Sequence, residues 1–223
     1  MKFGVVVFPG SNCDRDIIYA LESDLQLEVI PLWHKDKDLS MFSTQDCIVL
    51  PGGFSYGDYL RCGAIARFSP MMQSIVAFAN KGVKVFGVCN GFQILCESGL
   101  LPGALLRNAE MKFVCKNVYI KNDDALKTEV YKIPVAHGEG RYFAKADILS
   151  DMYQNGQVLY KYCDNKGDIQ PMHSPNGSMD NIAGIRSKEG NVFGMMPHPE
   201  RACNEELGNT DGRRIFSSLF SIN

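Results

Sequence analysis

The feature that most restricts the fold is a set of short, apolar, β-branched runs separated by segments with helical spacing. Four of these runs predict strands buried on both faces, at residues 3–8, 27–32, 47–50 and 83–88. Residues 14–25 and 71–80 carry the apolar periodicity of crossover helices. Right-handed crossovers would place the strands in one largely parallel sheet, so we expect an α/β fold.

Weaker alternation follows in the middle of the chain and predicts antiparallel strands that pack on the same sheet. These strands are expected at residues 113–120, 132–136 and 157–162. A hairpin is predicted from residues 182–186 and 191–195, and a closing helix from residues 212–220. No repeat, low-complexity tract or linker rich in Pro, Ser or charge interrupts the chain, so we expect a single domain over residues 1–223.

Composition and charge argue against several classes of function. The chain has 223 residues, 45% of them hydrophobic, and a net charge of −2 without a basic block, so nucleic acid is a poor partner. The first ten residues hold one lysine and too short an apolar run for a signal peptide. No segment approaches the ~20 apolar residues that span a bilayer. We expect a soluble, cytoplasmic protein.

The sharpest local motif is Gly87-Val88-Cys89-Asn90-Gly91, where a buried strand runs into a helix. Gly-x-Cys-x-Gly at such a junction is typical of a nucleophile elbow with sulfur in place of the serine oxygen. Glycines are needed because the two backbones leave no room for Cβ atoms. At a helix N-terminus the thiolate of Cys89 would be favoured over the thiol. An ordinary buried cysteine after a strand is the alternative interpretation.

A nucleophile of this kind needs a base and a group that orients the base, and His198-Pro199-Glu200 offers both. Pro199 disfavours a helical conformation at His198, and residues two apart in an extended segment point to one face. The Glu200 carboxylate could then hold the imidazole tautomer while the other ring nitrogen accepts the thiol proton. The alternative is a loop with a solvated carboxylate.

Two glycine-rich segments could complete the site. Gly52-Gly53 follows a buried strand and could aim a backbone N–H at a ligand, which together with the Asn90 N–H would form an oxyanion hole. A second segment, from His137 to Tyr142, combines an imidazole, a carboxylate and a guanidinium on a flexible backbone. It could contact substrate or a partner, and an exposed turn is the alternative.

Several motifs are absent from the sequence. The chain has no phosphate-binding loop, no complete dinucleotide fingerprint and no pair of cysteines at zinc-ligand spacing. We therefore expect no metal site and no nucleotide cofactor in this chain.

The elbow through Gln93, together with His198-Pro199-Glu200, resembles the triad-type (class I) glutamine amidotransferases. Further blocks are similar to the glutaminase subunits of phosphoribosylformylglycinamidine synthases, a branch of that family; they span residues 8–16, 51–64, 136–142, 176–178, 181–185 and 196–201. The similarity covers nearly the whole chain. It implies a doubly wound, flavodoxin-like, mostly parallel sheet with helices on both faces and added antiparallel strands.

The resemblance also implies roles for individual residues. Cys89 would attack the side-chain amide of glutamine, His198 would protonate the ammonia and then activate water, and Glu200 would orient His198. The N–H groups of Gly53 and Asn90 would stabilise the oxyanion. Glutamine would be bound by Gln93, Gly52 and His137.

Ammonia would pass to a large synthetase subunit that uses ATP and magnesium to convert formylglycinamide ribonucleotide (FGAR) to formylglycinamidine ribonucleotide (FGAM). A small accessory subunit is expected as well. The alternatives from other classes are another cysteine hydrolase and a non-catalytic binding module on the same fold.

Overall fold

The computed structural model describes residues 1–123 and 129–222. The helices are α1 (Asp14–Tyr19), continued by a π-helical turn (Ala20–Asp24), α2 (Pro70–Ala79), α3 (Asn90–Glu97), α4 (Ala146–Gln154) and α5 (Asp211–Phe220). The strands are β1 (Lys2–Val7), β2 (Glu28–Trp33), β3 (Cys47–Leu50), β4 (Lys84–Val88), β5 (Ala104–Leu106), β6 (Val114–Asn122), β7 (Val130–His137), β8 (Arg141–Phe143), β9 (Val158–Cys163), β10 (Ile182–Arg186) and β11 (Val192–Met195).

The main sheet has nine strands in the order β2-β1-β3-β4-β11-β10-β9-β6-β7. Its first five strands are parallel, in the order typical of flavodoxin-like folds. The other four strands are antiparallel to their neighbours and extend the same sheet. This arrangement confirms the predicted fold class, including the antiparallel addition and the hairpin of β10 and β11.

Helices cover both faces of the parallel half of the sheet. Consecutive strand residues point to opposite faces. On β11 the ring of Phe193 packs against Phe220 of α5, with 6.4 Å between the ring centroids. A Cβ atom on the next residue, Gly194, would lie 2.3 Å from the ring of Phe92 on α3. Helices α3 and α5 therefore lie on opposite faces, as predicted.

The predicted burial of residues 27–32 is wrong. Strand β2 forms at this place, but it lies at one edge of the sheet, and only Leu32 among its six residues is buried. An edge strand has a neighbour on one side only, so its outer residues stay in contact with water. Apolar character along the sequence cannot distinguish this position from a central one.

Helix α4 and the two-stranded sheet of β5 and β8 were absent from the sequence-based expectation. Helix α4 has no side-chain cap at Lys145, and Met152 is its one buried residue. Weak capping and a narrow apolar stripe explain why its pattern is faint. Within residues 1–123 and 129–222, no helix is long and apolar enough to cross a membrane.

Candidate active site

A cleft of about 180 Å³ opens beyond the carboxyl ends of β1, β3, β4 and β11. Side chains at the ends of parallel strands converge at one edge of a sheet, so segments far apart in sequence meet here. Of the predicted site residues, the cleft is lined by Gly53, Cys89, Gln93, His137 and His198. The other three, Gly52, Asn90 and Glu200, lie behind these and contact them.

Cys89 lies in the strained turn between β4 and α3, with φ 50° and ψ −104°. Its N–H donates to the carbonyl of Met195 at 2.8 Å, which fixes the turn to β11. A Cβ atom on Gly87 would lie 2.6 Å from the carbonyl carbon of Gly91, and one on Gly91 would lie 2.0 Å from the carbonyl oxygen of Leu50. Both glycines are therefore required by close packing, and the turn has the geometry of a nucleophile elbow.

Two backbone segments that the sequence predicts as sources of N–H groups lie close to Cys89. The first N–H groups of α3 have no intrahelical partner, and Gln93 is the first residue whose N–H bonds back, to the carbonyl of Cys89 at 3.1 Å. Gly53 has φ +115°, and a Cβ atom there would lie 2.6 Å from the nitrogen of Asn12. Gly53 thus lines the cleft, whereas Asn90 lies behind Cys89 at the start of α3.

His198 and Glu200 form a buried pair in which Nδ1 of the imidazole lies 2.6 Å from Oε1 of the carboxylate. Main-chain N–H donation from His198 to Pro134 at 2.8 Å holds the segment against β7. Burial alone would lower the pKa of His198, but the charges of Glu200 and Cys89 outweigh it and raise the pKa above its usual value. Glu200 engages Nδ1 of His198, which leaves the buried Nε2 for the Cys89 side chain, whose charge and hydrogen bond both help to raise the pKa of His198.

The local conformation around this pair differs from the expected extended segment. His198 itself is non-helical, with φ −102° and ψ 86°, but a 3-10 turn begins at the next residue and spans Pro199–Ala202. The turn folds Glu200 back onto the ring of His198. The predicted pairing is therefore present, although it arises from a turn and not from strand alternation.

Gln93 projects from the first turn of α3 and is 5% exposed. Its Oε1 accepts a hydrogen bond from Nδ2 of Asn90 at 3.0 Å, and its Nε2 donates to the carbonyl of Glu139 at 2.5 Å. Its amide therefore links the elbow to the opposite wall of the cleft.

His137 is the last residue of β7 and is 3% exposed. The segment from His137 to Tyr142 is therefore not an exposed turn, which was the alternative interpretation of its sequence. Nδ1 of His137 lies 3.1 Å from Oδ1 of Asn108, and its Nε2 lies 3.5 Å from Nδ2 of Asn176. Burial, helped by the nearby His198, lowers the pKa of His137 to about 4. His137 is thus neutral near pH 7, and it donates from Nδ1 and accepts at Nε2.

A model of the CobB/CobQ-like glutamine amidotransferase domain matches residues 1–214. The chain belongs to this glutamine amidotransferase family. The amidotransferase is 53% identical over 229 residues to phosphoribosylformylglycinamidine synthase subunit PurQ of Chlorobaculum parvum, covering 99% of this chain and 90% of that protein. It is 52% identical to the PurQ subunit of Moorella thermoacetica, covering 98% of this chain and 95% of the relative.

Solved structures show the same relationship. A structure of PurLQS from Thermotoga maritima contains a chain that superposes on the amidotransferase with a TM-score of 0.84 and 42% identity, covering 99% of this chain and 97% of that one. A more distant likeness, to a glutamine amidotransferase from Thermotoga maritima, has a TM-score of 0.57 at 12% identity, covering 99% of this chain and 83% of that one. The second likeness shows the shared fold alone.

Two residues of the amidotransferase site carry no role in the sequence-based expectation. Asn108 is 1% exposed and makes hydrogen bonds with the main chain of Lys112, His137 and Gly140. Asp58 accepts from Nδ2 of Asn90 at 3.0 Å. Asp58 lies inside a block that resembles the family, whereas no local motif surrounds Asn108.

A second thiol faces the same cleft of the amidotransferase. Cys13 and Arg201 both line it, and Nη2 of Arg201 lies 3.0 Å from Sγ of Cys13 and 2.9 Å from Oδ2 of Asp16. Burial raises the pKa of Cys13 to about 12, although the Arg201 charge opposes this effect. Cys13 is therefore a neutral thiol close to Cys89 and Glu200. Among the described residues no cluster of His, Cys, Asp or Glu side chains could hold a metal ion.

Proposed function

We propose that this chain hydrolyses glutamine through Cys89 and supplies the ammonia to a synthetase that converts FGAR to FGAM. One observation carries the proposal. A strained cysteine and a buried His198–Glu200 pair face one cleft in a chain that is 53% identical to a phosphoribosylformylglycinamidine synthase subunit. That combination of nucleophile and oriented base is what acyl transfer from an amide requires.

In the first half of the reaction, the Cys89 sulfur attacks the carbonyl carbon of the glutamine side chain. His198 takes the thiol proton at Nε2, the ring nitrogen that Glu200 does not engage. The oxyanion is stabilised by the N–H groups of Gly53 and Asn90. When the tetrahedral intermediate collapses, His198 gives the proton to the departing nitrogen, so ammonia leaves and a glutamyl thioester remains.

In the second half, water attacks the thioester and His198 acts as the base. The tetrahedral intermediate collapses with return of the proton to sulfur, which releases glutamate and restores the thiol. Glu200 stabilises the imidazolium in both halves because its carboxylate lies 2.6 Å from Nδ1. Gln93, Gly52 and His137 would shape the surface that holds the glutamine.

Ammonia that escaped into water would be protonated and lost as a nucleophile, so a partner that receives it is needed. The likeness to a chain of PurLQS supports an assembly with a large synthetase and a small accessory subunit. ATP and magnesium would act on the synthetase, and this chain would need no cofactor of its own. We expect the assembly in the cytoplasm.

The experiment that tests this function measures glutamate and ammonia formation by the chain alone and with its synthetase. Cys89→Ala should abolish glutamine hydrolysis, whereas its complex with the synthetase should still form FGAM from added ammonium salt. Cys96→Ala is the matched control, since Cys96 lies on the same helix with its thiol 3.8 Å from the carbonyl oxygen of Pro102. The control should keep the parent rate.

Labelling with diazo-oxo-norleucine identifies the nucleophile directly. The adduct should map to Cys89 by peptide mass spectrometry, and glutamine should protect against it. A Cys89→Ala variant that hydrolyses glutamine at the parent rate would contradict the proposal. Cleavage of peptides in preference to glutamine would favour another cysteine hydrolase, and lack of any activity with the synthetase present would favour a binding module.

A further inference from the structure

A chain of hydrogen bonds crosses the floor of the cleft beside Cys89. Oδ1 of Asp58 accepts from Nδ2 of Asn90 at 3.0 Å, and the same nitrogen donates to Oε1 of Gln93 at 3.0 Å. Nε2 of Gln93 then donates to the carbonyl of Glu139 at 2.5 Å. The chain thus joins the loop after β3 to the turn after β7 through the first turn of α3.

The direction of this chain follows from its ends. The carbonyl of Glu139 can only accept, and an ionised Asp58 can only accept. The Asn90 side chain has one more contact: the main-chain N–H of Ser55 donates to its Oδ1 at 3.2 Å. Each end therefore demands the same orientation, with the Asn90 nitrogen towards Asp58 and the Gln93 nitrogen towards Glu139. Asp58 is the one end that a side-chain substitution can remove.

Backbone strain marks the loop that brings Asp58 to this place. Three non-glycine residues of the loop have left-handed φ values: Tyr56 at 54°, Asp58 at 50° and Leu60 at 76°. Such conformations cost free energy and persist where the surrounding structure enforces them, often at functional sites. Burial raises the pKa of Asp58, and hydrogen bonds from Cys62, Asn90 and Gly63 oppose that rise. A strained, partly desolvated carboxylate is thus held beneath the elbow.

We propose that Asp58 is a positioning residue for glutamine binding, because its carboxylate helps to fix the amides of Asn90 and Gln93 so that Gln93 presents one N–H group to the substrate. One N–H of Gln93 is taken by Glu139, and the other is available to an acceptor oxygen of glutamine. This role rests on the proposed glutaminase function. It predicts that Asp58 affects substrate binding far more than the reactivity of the thiol.

The test compares Asp58→Leu and Asp58→Asn with the parent chain in its complex with the synthetase. Leucine has nearly the shape of aspartate but no acceptor, so Asn90 loses a partner. Asparagine can offer either an oxygen or a nitrogen, so this end of the chain no longer enforces the orientation, although the contacts with Ser55 and Glu139 still favour it. Asp46→Asn is the matched control, because Asp46 is a buried carboxylate that likewise accepts hydrogen bonds, from the N–H groups of Lys2 and Ser43.

We expect KM for glutamine to rise roughly tenfold in Asp58→Leu, which corresponds to the loss of about one hydrogen bond to a charged group. The rise in Asp58→Asn should be smaller, and kcat should stay within about threefold in both, because the Cys89 triad is untouched. Labelling by diazo-oxo-norleucine, which must bind as glutamine does, should slow in parallel with the rise in KM. Alkylation of Cys89 by iodoacetamide needs no glutamine site and should keep its rate.

If the parent chain is active and the folded Asp58→Leu variant has the same KM for glutamine, the role of Asp58 is overturned. The proposed glutaminase function would still stand. The role would also be overturned if kcat, iodoacetamide alkylation and melting temperature all fell together, since that pattern indicates general damage. If Asp58→Leu does not fold, the same comparison is made with Asp58→Asn: a raised KM with a nearly unchanged kcat supports the role, and an unchanged KM overturns it. A parent chain that hydrolyses no glutamine, even with the synthetase, would overturn the proposed function and this role with it.

Discussion

Gly91 packs so tightly against Leu50 that a Cβ atom on it would lie 2.0 Å from the Leu50 carbonyl oxygen. This contact joins the start of α3 to the end of β3. It therefore sets the distance between the elbow that carries Cys89 and the glycine turn, at Gly52 and Gly53, that follows β3.

Gly91→Ala should displace this junction. We expect a loss of roughly 3 kcal/mol in the free energy of unfolding and loss of most glutaminase activity, because main-chain atoms cannot yield cheaply to the new methyl group. Urea unfolding and a glutamate assay measure the two effects. Gly82→Ala is the control: its φ of +88° is unfavourable for alanine, yet its new methyl group would meet no atom within 4 Å, so it should lose only about 1 kcal/mol.

Glu200→Gln should lower kcat by roughly 10²- to 10⁴-fold with little change in KM, because the amide neither holds the reactive tautomer of His198 nor stabilises its positive charge. The pKa of His198 should fall, since the charge that raises it is gone and burial remains. Stopped assays and imidazole NMR titration measure both. Glu97→Gln, which removes the ion pair with Arg61, should leave both properties unchanged; an unaltered kcat in Glu200→Gln would remove Glu200 from the triad.

His137 should make the protein less stable in acid. Its pKa is about 4 in the folded chain against 6.5 for a free histidine, so the unfolded chain binds the extra proton between these values. The contribution of neutral His137 to the free energy of unfolding is fully present above about pH 6.5. It is lost as the pH falls towards 4, which lowers the free energy of unfolding by up to about 3 kcal/mol. His137→Gln should flatten this part of the profile in urea unfolding, whereas His173→Gln should not; equal slopes in the two variants would contradict the assignment.

Asn108→Asp should loosen the wall of the cleft opposite the elbow. Nδ2 of Asn108 donates to the carbonyls of Lys112 and His137, so a carboxylate would face two acceptors without a donor. We expect a loss of about 2–4 kcal/mol in unfolding free energy and a raised KM for glutamine. Calorimetry and steady-state kinetics measure these effects, with Asn165→Asp as control because Asn165 is exposed. A stable variant with a normal KM for glutamine would show that the turn after β7 keeps its conformation without Asn108.

The sequence by itself determined most of the framework and the candidate chemistry. Strand β3 has its predicted bounds, both ends of β1 differ from the prediction by one residue, and β4 differs by one residue at its start only. These strands are recognisable because central strands of a parallel sheet are buried on both faces and read as continuous apolar runs. The elbow was equally readable, because its steric requirement for glycines lies within five consecutive residues.

Tertiary structure decided what depends on contacts between distant segments. The edge position of β2 follows from strand order, and the burial of His137 follows from packing against Asn108 and Asn176. The place of Asp58 follows from Asn90, 32 residues away in the chain. Local patterns record how a residue's neighbours in sequence pack, but they do not record which far segment supplies a hydrogen-bond partner. Cys89, His198 and Glu200 could be named from the sequence, whereas the side chains that hold them in place became visible only in the folded chain.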